Sequence, residues 1–510
     1  MLTLYVCLMY ILCMDKINLT TETKQFFSLV SQAAFANPFS ERRVELDRQI
    51  GGVTGSKQRS EIITAMVREL GKRIEKLEKE GAVKITDFEA SDQDLIRYVY
   101  LFDVYHKFAK DFDNFIIEQI NAGEQPIEVV FAKDALSLLT KRGFSSVMAN
   151  RYFSLFYQIR RAFYFIDRGL IGQSRLMREL RMNLWNNIFT HDISYYERYM
   201  WDKMEDFSTL LLGPTGCGKG AAAAAIGRSG FIGFDEKGQK FAESFTKTFI
   251  PINISQYPQT LLESELFGHA KGAFTGAISS HDGLFALCGP YGSIFLDEIG
   301  EIGTAVQVKL LAVLEERLFS PVGSHKKINF HGRVIAATNR TLEQLRREGG
   351  FRDDFYYRLC SDCIMVPSLQ QRIQENPSEI DELIAHTVER ITGERAEDLI
   401  KAVKEVVEKE LPRDYHWPGN VRELAQCVRR VIIKRDYRGD IAIASDDLRS
   451  KLLGDIDSGV LDAQSLLAGY CTLLYKQYGT YEQVSRKTNL DRRTVKKYIE
   501  HFSQDNEKIN

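Results

Sequence analysis

The sequence predicts a multidomain chain: an α-helical N-terminal domain, an α/β domain with a parallel sheet and a helical lid, and a C-terminal helix-turn-helix. Three observations carry this prediction. Aromatic and aliphatic residues recur at helical spacing as far as about residue 168. Short apolar runs then alternate with helical stretches, as in a sheet covered on both faces. A final basic segment reads as short helices joined by a tight turn. At 510 residues the chain is also too long for one ordinary domain.

Composition limits the function classes. Hydrophobic residues make up 44% and charged residues 27%, normal for a soluble globular protein. The formal net charge of −2 supplies no global basic field, so contact with nucleic acid requires a local patch. Eight scattered cysteines outline no secreted disulfide framework, which favours a reducing cytoplasm. Cys360 and Cys363 have CxxC spacing, lack a second pair to complete a zinc site, and are expected to be ordinary buried cysteines. Leu2 to Met14 is apolar but too short to cross a bilayer, and no basic start precedes it. A plain explanation is that translation begins at Met14, with a membrane anchor as the alternative; no membrane association is expected.

Residues 15–168 read as the helical domain. Tyr98, Leu101, Phe102, Tyr105, Phe108, Phe112 and Phe115 make one apolar face, and Tyr152, Phe153, Phe156, Ile159, Phe163 and Ile166 a second. Both are expected to pack as core, with a ligand pocket or partner groove as the sharper alternative. Lys57 to Lys84 is charge-rich and reads as a solvated or coiled helix. The α/β region spans 169–366, with strands at Thr209–Leu212, Ser293–Leu296 and Val334–Ala337. Residues 367–438 read as the helical lid. An Asp- and Gly-rich connector around 439–460 leads to the last helical segment, 460–503.

The chemistry begins at Gly213-Pro214-Thr215-Gly216-Cys217-Gly218-Lys219, which follows a strand and precedes an alanine-rich helix. This is GxxxxGK in its strand–loop–helix setting. Its glycines let backbone N–H groups approach phosphate, the helix N-terminus favours negative charge, and Lys219 can reach the β- and γ-phosphates. Gly220 stands where a Ser or Thr hydroxyl would ligate Mg²⁺, so the metal must be held otherwise. An apolar strand ending in Asp297-Glu298 offers a carboxylate for Mg²⁺ and a neighbour to polarise water. A third strand ends in Thr338-Asn339, which would stand beside the γ-phosphate. Arg352 and Arg358 could stabilise a transferring phosphoryl group, in the same chain or a neighbour's, or could equally be surface ion-pair residues.

Glu263 to Ala277 closely resembles the signature of sigma-54-dependent activators, the bacterial enhancer-binding proteins. Its hexapeptide Gly272-Ala273-Phe274-Thr275-Gly276-Ala277 is complete. Glycines flank one aromatic and one hydroxyl there, which suits a mobile contact tip better than a core. The resemblance covers roughly Leu170 to Ile433, about half the chain. It implies an AAA+ ATPase, with ATP and Mg²⁺ as cofactors, that assembles into a homo-oligomer, a hexamer, and uses the loop to touch sigma-54. It further implies that Ile171, in Leu170-Ile171-Gly172, enters the adenine pocket. Asp297 and Glu298 fall in its Walker B segment, Asn339 is its sensor I, and Asn253 couples γ-phosphate status to the loop. Arg352 and Arg358 match its arginine fingers, acting on the next subunit's ATP, and Arg422 in Trp417-Pro418-Gly419-Asn420-Val421-Arg422 its sensor II. The chain departs from the family at Pro214, Cys217 and Gly220. It departs again at Pro367-Ser368-Leu369-Gln370-Gln371-Arg372, which keeps only the last arginine of an arginine-rich stretch.

Residues 465–501 carry seven Lys or Arg and three Asp or Glu, +4 net (7 − 3). Tyr481 to Lys487 reads as a helix, Thr488-Asn489-Leu490 as a turn, and Asp491 as the cap of a second helix. Arg492 and Arg493, with Thr494, would face base edges of double-stranded DNA, while Lys496 and Lys497 would meet phosphate. Val484, Leu490, Val495 and Ile499 would form the small core. The resemblance thus implies a cytoplasmic activator that binds upstream DNA and remodels sigma-54 RNA polymerase from closed to open complex. The helical domain beside the ATPase is expected to regulate it. Two alternatives stay open: a DNA-binding regulator with a decayed ATPase, and a remodeller of some other protein.

Overall fold

A computed structural model of the chain describes residues 16–55, 58–347, 351–412, 414–439, 452–453, 455–456 and 461–507. The expectation for Leu2 to Met14, and most of the connector at 439–460, lie outside these residues. The chain forms two compact units, one of residues up to 395 with 419–424, the other of 396–418 and 425–510. Among the described residues no helix is long and apolar enough to cross a membrane.

The N-terminal region is helical, as expected: α1 (Thr21–Phe35), α2 (Glu41–Gly51), α3 (Arg59–Lys79), α4 (Ala90–Lys107), α5 (Ala109–Ala122), α6 (Ala132–Lys141) and α7 (Ser146–Gly169). Side-chain oxygens of Thr20, Ser40 and Ser145 cap three of these helices. The charge-rich helix is not simply solvated. Ile62, Met66, Leu70, Ile74 and Leu77 of α3 recur every three to four residues and are buried. The first aromatic face is also only partly core. Phe102, Phe112 and Phe115 are buried, but Tyr98, Leu101 and Tyr105 are half-buried, and the run breaks at Phe108 between α4 and α5. The most buried face of α4 lies one position over, at Ile96, Val99, Tyr100 and Asp103. A buried ion pair holds it there: the Arg142 guanidinium lies 2.6 Å from Asp103 and 4.5 Å from the Tyr100 ring centroid.

After α8 (Arg175–Phe189) comes a five-stranded parallel sheet in the order β4-β5-β8-β1-β9. Its strands are β1 (Thr209–Leu212), β4 (Phe249–Asn253), β5 (Ser293–Asp297), β8 (Arg333–Thr338) and β9 (Asp362–Met365). Two short hairpins, β2 (Phe234–Asp235) with β3 (Lys240–Phe241) and β6 (Leu318–Phe319) with β7 (Ile328–Asn329), stand apart from it. Alternate residues point to opposite faces. Leu211, Phe295, Ile335 and Ile364 join one core, and Leu210, Ile294, Leu296, Val334 and Ala336 the other.

The first of these cores is continuous with that of the N-terminal helices. Tyr157 of α7 stacks on Phe241 of β3 at 3.9 Å between centroids, and Phe153 packs edge-on to Phe234 at 4.9 Å. Packing therefore runs unbroken past residue 168. The helices of the α/β region are α9 (Lys219–Gly227), α10 (Gln259–Phe267), α11 (Leu284–Leu287), α12 (Thr304–Glu316), α13 (Leu342–Arg347) and α14 (Asp353–Leu359). The lid helices are α15 (Leu369–Glu375), α16 (Glu379–Thr392), α17 (Glu397–Glu410) and α18 (Asn420–Lys434).

The second unit ends in α19 (Ala463–Tyr478), α20 (Tyr481–Thr488) and α21 (Arg492–Glu507). Cys471, Leu474, Val484, Val495 and Ile499 form their core, with Leu490 partly buried against it. Asn489 turns the chain at φ +58, and the Asp491 carboxylate accepts from the N–H of Arg493 at 2.8 Å.

Candidate nucleotide site and contact loop

The phosphate loop is built by its glycines. Gly213, Gly216 and Gly218 have φ of +155°, +78° and +113°. A Cβ on Gly216 would meet the Gly419 carbonyl at 2.3 Å, so the loop and the start of α18 pack too closely for any side chain. A Cβ on Gly218 would meet nothing within 4 Å, so this turn of the loop is open on that side. Beyond it α9 presents its N-terminal N–H groups, an anion-binding end. Pro214 and Thr215 form the turn. Cys217 is buried beneath it, and burial raises its thiol pKa. The Lys219 ammonium crosses the loop and donates to the carbonyls of Gly213 (2.8 Å) and Pro214 (3.1 Å). Gly220, the second residue of α9, adds no hydroxyl.

Neighbouring strand ends converge here. Leu212 is in register with Thr338, so Asn339 emerges beside the loop and its amide donates to the Thr215 hydroxyl at 3.2 Å. Asp297 ends β5 opposite Asn253 at the end of β4. One Asp297 oxygen accepts from the Glu298 N–H at 3.1 Å. Glu298 itself sits at φ +57, a strained backbone for a non-glycine residue and frequent at reactive positions. Asn253 accepts from the Ser255 N–H (3.0 Å) and hydroxyl (2.6 Å), which starts the turn leading to α10.

The donor set fits magnesium nucleotide. No group of three or more His, Cys, Asp or Glu that could hold a metal occurs among the described residues. Mg²⁺ on nucleotide needs none, because phosphate oxygens and water fill most of its positions. Asp297, at the end of β5, is the carboxylate that would complete them.

From the lid side, the Asn420 amide donates to the Thr215 carbonyl at 3.0 Å and its oxygen accepts from the Leu369 N–H at 2.8 Å. The Arg422 N–H faces the Gly216 carbonyl at 3.3 Å. Ile171 is held by its backbone: its carbonyl accepts from Arg372 at 2.5 Å. Arg372 is paired in turn with the fully buried Glu379, at 2.6 Å, which also takes the N–H groups of Gln173 and Ser174. The single arginine kept in the departing stretch thus clamps the entry turn. Sequence reasoning missed the contacts of Glu379 with Gln173 and Ser174 and of Asn420 with Thr215, because they join residues about 200 positions apart.

A second missed network lies under the opposite ends of the strands. Arg333 at the start of β8 donates to Asn187 Oδ1 (2.9 Å) and Thr209 Oγ1 (3.1 Å), and Asn187 donates to Asp362 (2.6 Å). Burial draws the Arg333 pKa down to about 10. This network ties α8 to the first residues of three adjacent strands.

The two arginines differ in setting. Arg352 is exposed and paired in two-point fashion with Asp354, at 2.7 and 3.0 Å. Arg358 is half-buried, donating twice to the Leu314 carbonyl at the end of α12. Cys363 corrects the expectation of buried thiols. It is exposed, because β9 is an edge strand covered on one side, and Cys360 is only half-buried. A hydrogen bond from Cys360 lowers the Cys363 pKa.

The Gly272–Ala277 hexapeptide tops the segment between α10 and α11. The N–H of Gly272 bonds the Ala277 carbonyl at 2.9 Å, with φ of +80° and +102° at Gly272 and Gly276. Phe274, 41% exposed, rests against the His269 ring at 4.9 Å, and Thr275 is exposed. Ala273 packs on Gly323 in the β6–β7 loop, where a Cβ would meet it at 2.7 Å. On α21, Arg492, Arg493, Lys496 and Lys497 are exposed and Thr494 half-buried, with Arg492 near Glu482 and Lys496 near Glu500.

Residues 194–364 match the sigma-54 interaction domain, and residues 374–460 match an AAA+ ATPase lid domain. The transcriptional regulatory protein GlrR of Escherichia coli (strain K12) is 39% identical over 227 residues, 44% of this chain and 47% of that protein. The nitrogen fixation protein AnfA of Azotobacter vinelandii is 38% identical over 254 residues, 49% and 43% of the two chains. The chain thus spans under half the length of these relatives. A protein encoded in the HyuA 5′ region of Pseudomonas sp. (strain NS671) is 40% identical over 229 residues, 45% of this chain and 71% of that one.

Proposed function

This chain belongs to the sigma-54-dependent transcriptional activators, and from that membership we propose that it hydrolyses ATP in a ring oligomer to open sigma-54 polymerase complexes. The observation that carries the reading is a short path from phosphate to loop. Asp297 and Asn253 end adjacent strands in register, and the chain from Asn253 runs directly into α10, which delivers the Gly272–Ala277 tip. A change at the γ-phosphate has only one helix to move.

In this reading Lys219 and the loop N–H groups hold the phosphates, and Arg422 and Ile171 border the nucleotide. Asp297 would hold Mg²⁺, which would supply positive charge against the phosphates. Glu298 orients the attacking water and accepts its proton; phosphate leaves, and ADP remains. Arg352 and Arg358 serve the neighbouring subunit, and Asn339 senses the γ-phosphate. Arg492, Arg493, Thr494, Lys496 and Lys497 hold upstream double-stranded DNA in a helix-turn-helix, and residues 15–168 regulate the ring. The reading assigns the protein to the cytoplasm.

The test is open-complex formation by sigma-54 polymerase with the full chain at high concentration and ATP, beside Thr275→Ala. Opening by the parent alone, with ATP turnover kept in both, is the expected result. Opening by neither while ATP is turned over sinks sigma-54 as the target, and opening by both removes Thr275 from the contact. Gly220 favours one other reading, a DNA-binding regulator with a decayed ATPase. Absence of turnover in a folded, assembled protein would establish it.

A further inference from the structure

We propose that the N-terminal domain binds a small monocyclic aromatic carboxylate in a cavity between α2, α4, α7 and α8, and that this ligand is the signal the domain reads. The second half of the proposal rests on the regulatory role assigned above.

The cavity measures about 150 Å³, with Leu101, Tyr105, Phe156, Ile159, Phe163 and Trp185 on its walls. Well-packed interiors leave few spaces larger than a water molecule. An apolar cavity of about 150 Å³ takes one six-membered ring. The half-buried stripe of α4 is its wall, which is why that stripe is not core.

Its polar groups select for charge. Asp47 is matched by Arg43 at 2.8 Å, and Glu197 by Arg97 at 3.3 Å and the Tyr152 hydroxyl at 2.9 Å. Arg160 is held at two points by Asp113, outside the cavity. His106 is kept neutral, its pKa well below the ordinary value through burial and the charges of Arg43 and Arg160. Arg59 differs from all of these. It is at the solvent-exposed rim, hydrogen-bonds the Pro38 carbonyl, lies over the Phe163 ring at 5.8 Å, and has no carboxylate within ion-pair distance among the described residues, Asp167 and Asp47 attracting it from farther off. Apolar walls inside and a rim cation with no close ion pair fit an aromatic acid.

The walls connect to the ATPase. Arg161, next to cavity-lining Arg160 on α7, is fully buried and donates to the carbonyls of Arg228 and Gly230 at 2.7 Å each. These close the C-terminal end of α9, whose other end is the phosphate loop. Trp185 on α8 lies two residues from Asn187, which bonds Thr209 at the start of β1. A ligand that shifts α7 or α8 acts on both ends of the phosphate-binding unit.

The test is titration of the full chain with benzoate and with the uncharged benzamide, read by calorimetry and tryptophan fluorescence. Saturable benzoate binding is expected, at least about tenfold tighter than benzamide, as for one added charge-assisted contact. Leu101→Trp, which fills the cavity, should weaken benzoate at least about tenfold, and Arg59→Gln should erase the preference over benzamide. No saturable binding, or binding undiminished by Leu101→Trp in a folded protein, overturns the site. Arg59→Gln lies at the rim and gives an answer if the filled variant misfolds: an unchanged preference overturns the assignment of Arg59. Equal binding of the two probes overturns the carboxylate. Saturating benzoate should change ATP turnover at least about threefold in the parent and not in Arg59→Gln; unchanged turnover overturns the signalling role. The binding readouts use neither ATP, sigma-54 nor promoter, so they fail independently of the activator reading, and the turnover readout is made only on protein that hydrolyses ATP without benzoate.

Discussion

The Asn339 amide donates to the Thr215 hydroxyl, so the end of β8 rests directly on the phosphate loop. A side chain so placed can respond to the γ-phosphate without carrying the affinity for nucleotide. Asn339→Ala is expected to lower ATP turnover at least about tenfold while the Kd for ATP stays within about threefold. Stopped-flow nucleotide binding beside steady-state turnover separates the two. Equal losses in both would make Asn339 a binding residue.

Arg352 and Arg358 should part company when each is replaced by alanine. The Arg352 side chain is exposed and pairs with Asp354, beside it in sequence, so its loss should leave the melting curve unchanged and abolish turnover in the assembled ring. Arg358 also satisfies the Leu314 carbonyl, and its loss should cost about 1–2 kcal/mol of stability as well. Urea unfolding of both variants, with turnover in mixtures with intact subunits, checks this. Retained turnover in pure Arg352→Ala oligomers would remove it from the phosphoryl-transfer machinery.

Breaking the clamp of the entry turn should be severe. Arg372 and Glu379 are both buried, so Glu379→Gln strands a charge and should cost about 3–5 kcal/mol. Removing both charges in Arg372→Met with Glu379→Gln should cost less than the single change. Denaturant titration decides, and a double mutant as unstable as the sum of the singles would refute the coupling.

Alkylation should distinguish the six cysteines of the described residues. Cys363 is exposed and its pKa lowered, whereas burial pushes Cys288 up to about 12. At pH 8 the Cys363 thiolate fraction is the larger, so iodoacetamide should label Cys363 first and well ahead of Cys288. Peptide mapping over time reads the order. Early labelling of Cys288 would mean that the core around it opens readily.

The basic face of α21 should divide by role. Lys497→Ala is expected to weaken DNA binding about equally on all sequences and lower the salt slope by about one. Arg493→Ala should cost about 1–3 kcal/mol on the preferred site and relax the sequence choice there. Binding isotherms across salt concentrations, on specific and random duplexes, check both. Equal effects of the two substitutions on random DNA would leave Arg493 a phosphate contact.

The strands, the phosphate loop and the contact tip were legible because each is local. A short apolar run, a fixed glycine spacing and an intact hexapeptide need no distant partner to be recognised. Asn339 was legible for the same reason, standing at the end of a readable strand. The clamp of Arg372 and Glu379 was not, nor was the network of Asn187, Arg333 and Asp362, since neither has a spacing to detect. Burial of Asp103 opposite Arg142 misled the reading of α4 in the same way. A polar pair occupied the most buried face, and hydrophobic periodicity pointed to the neighbouring one.

The unbroken core between the N-terminal helices and the sheet bears on how the protein is made. Tyr157 and Phe153 leave the ribosome before Phe234 and Phe241, the rings they pack against. At about 5–20 residues per second this gap lasts on the order of ten seconds. For that interval the part of α7 that meets Phe234 and Phe241 has no covering, which is the kind of surface that holdase chaperones bind. Synthesis rate, as much as stability, then sets the yield of native chains.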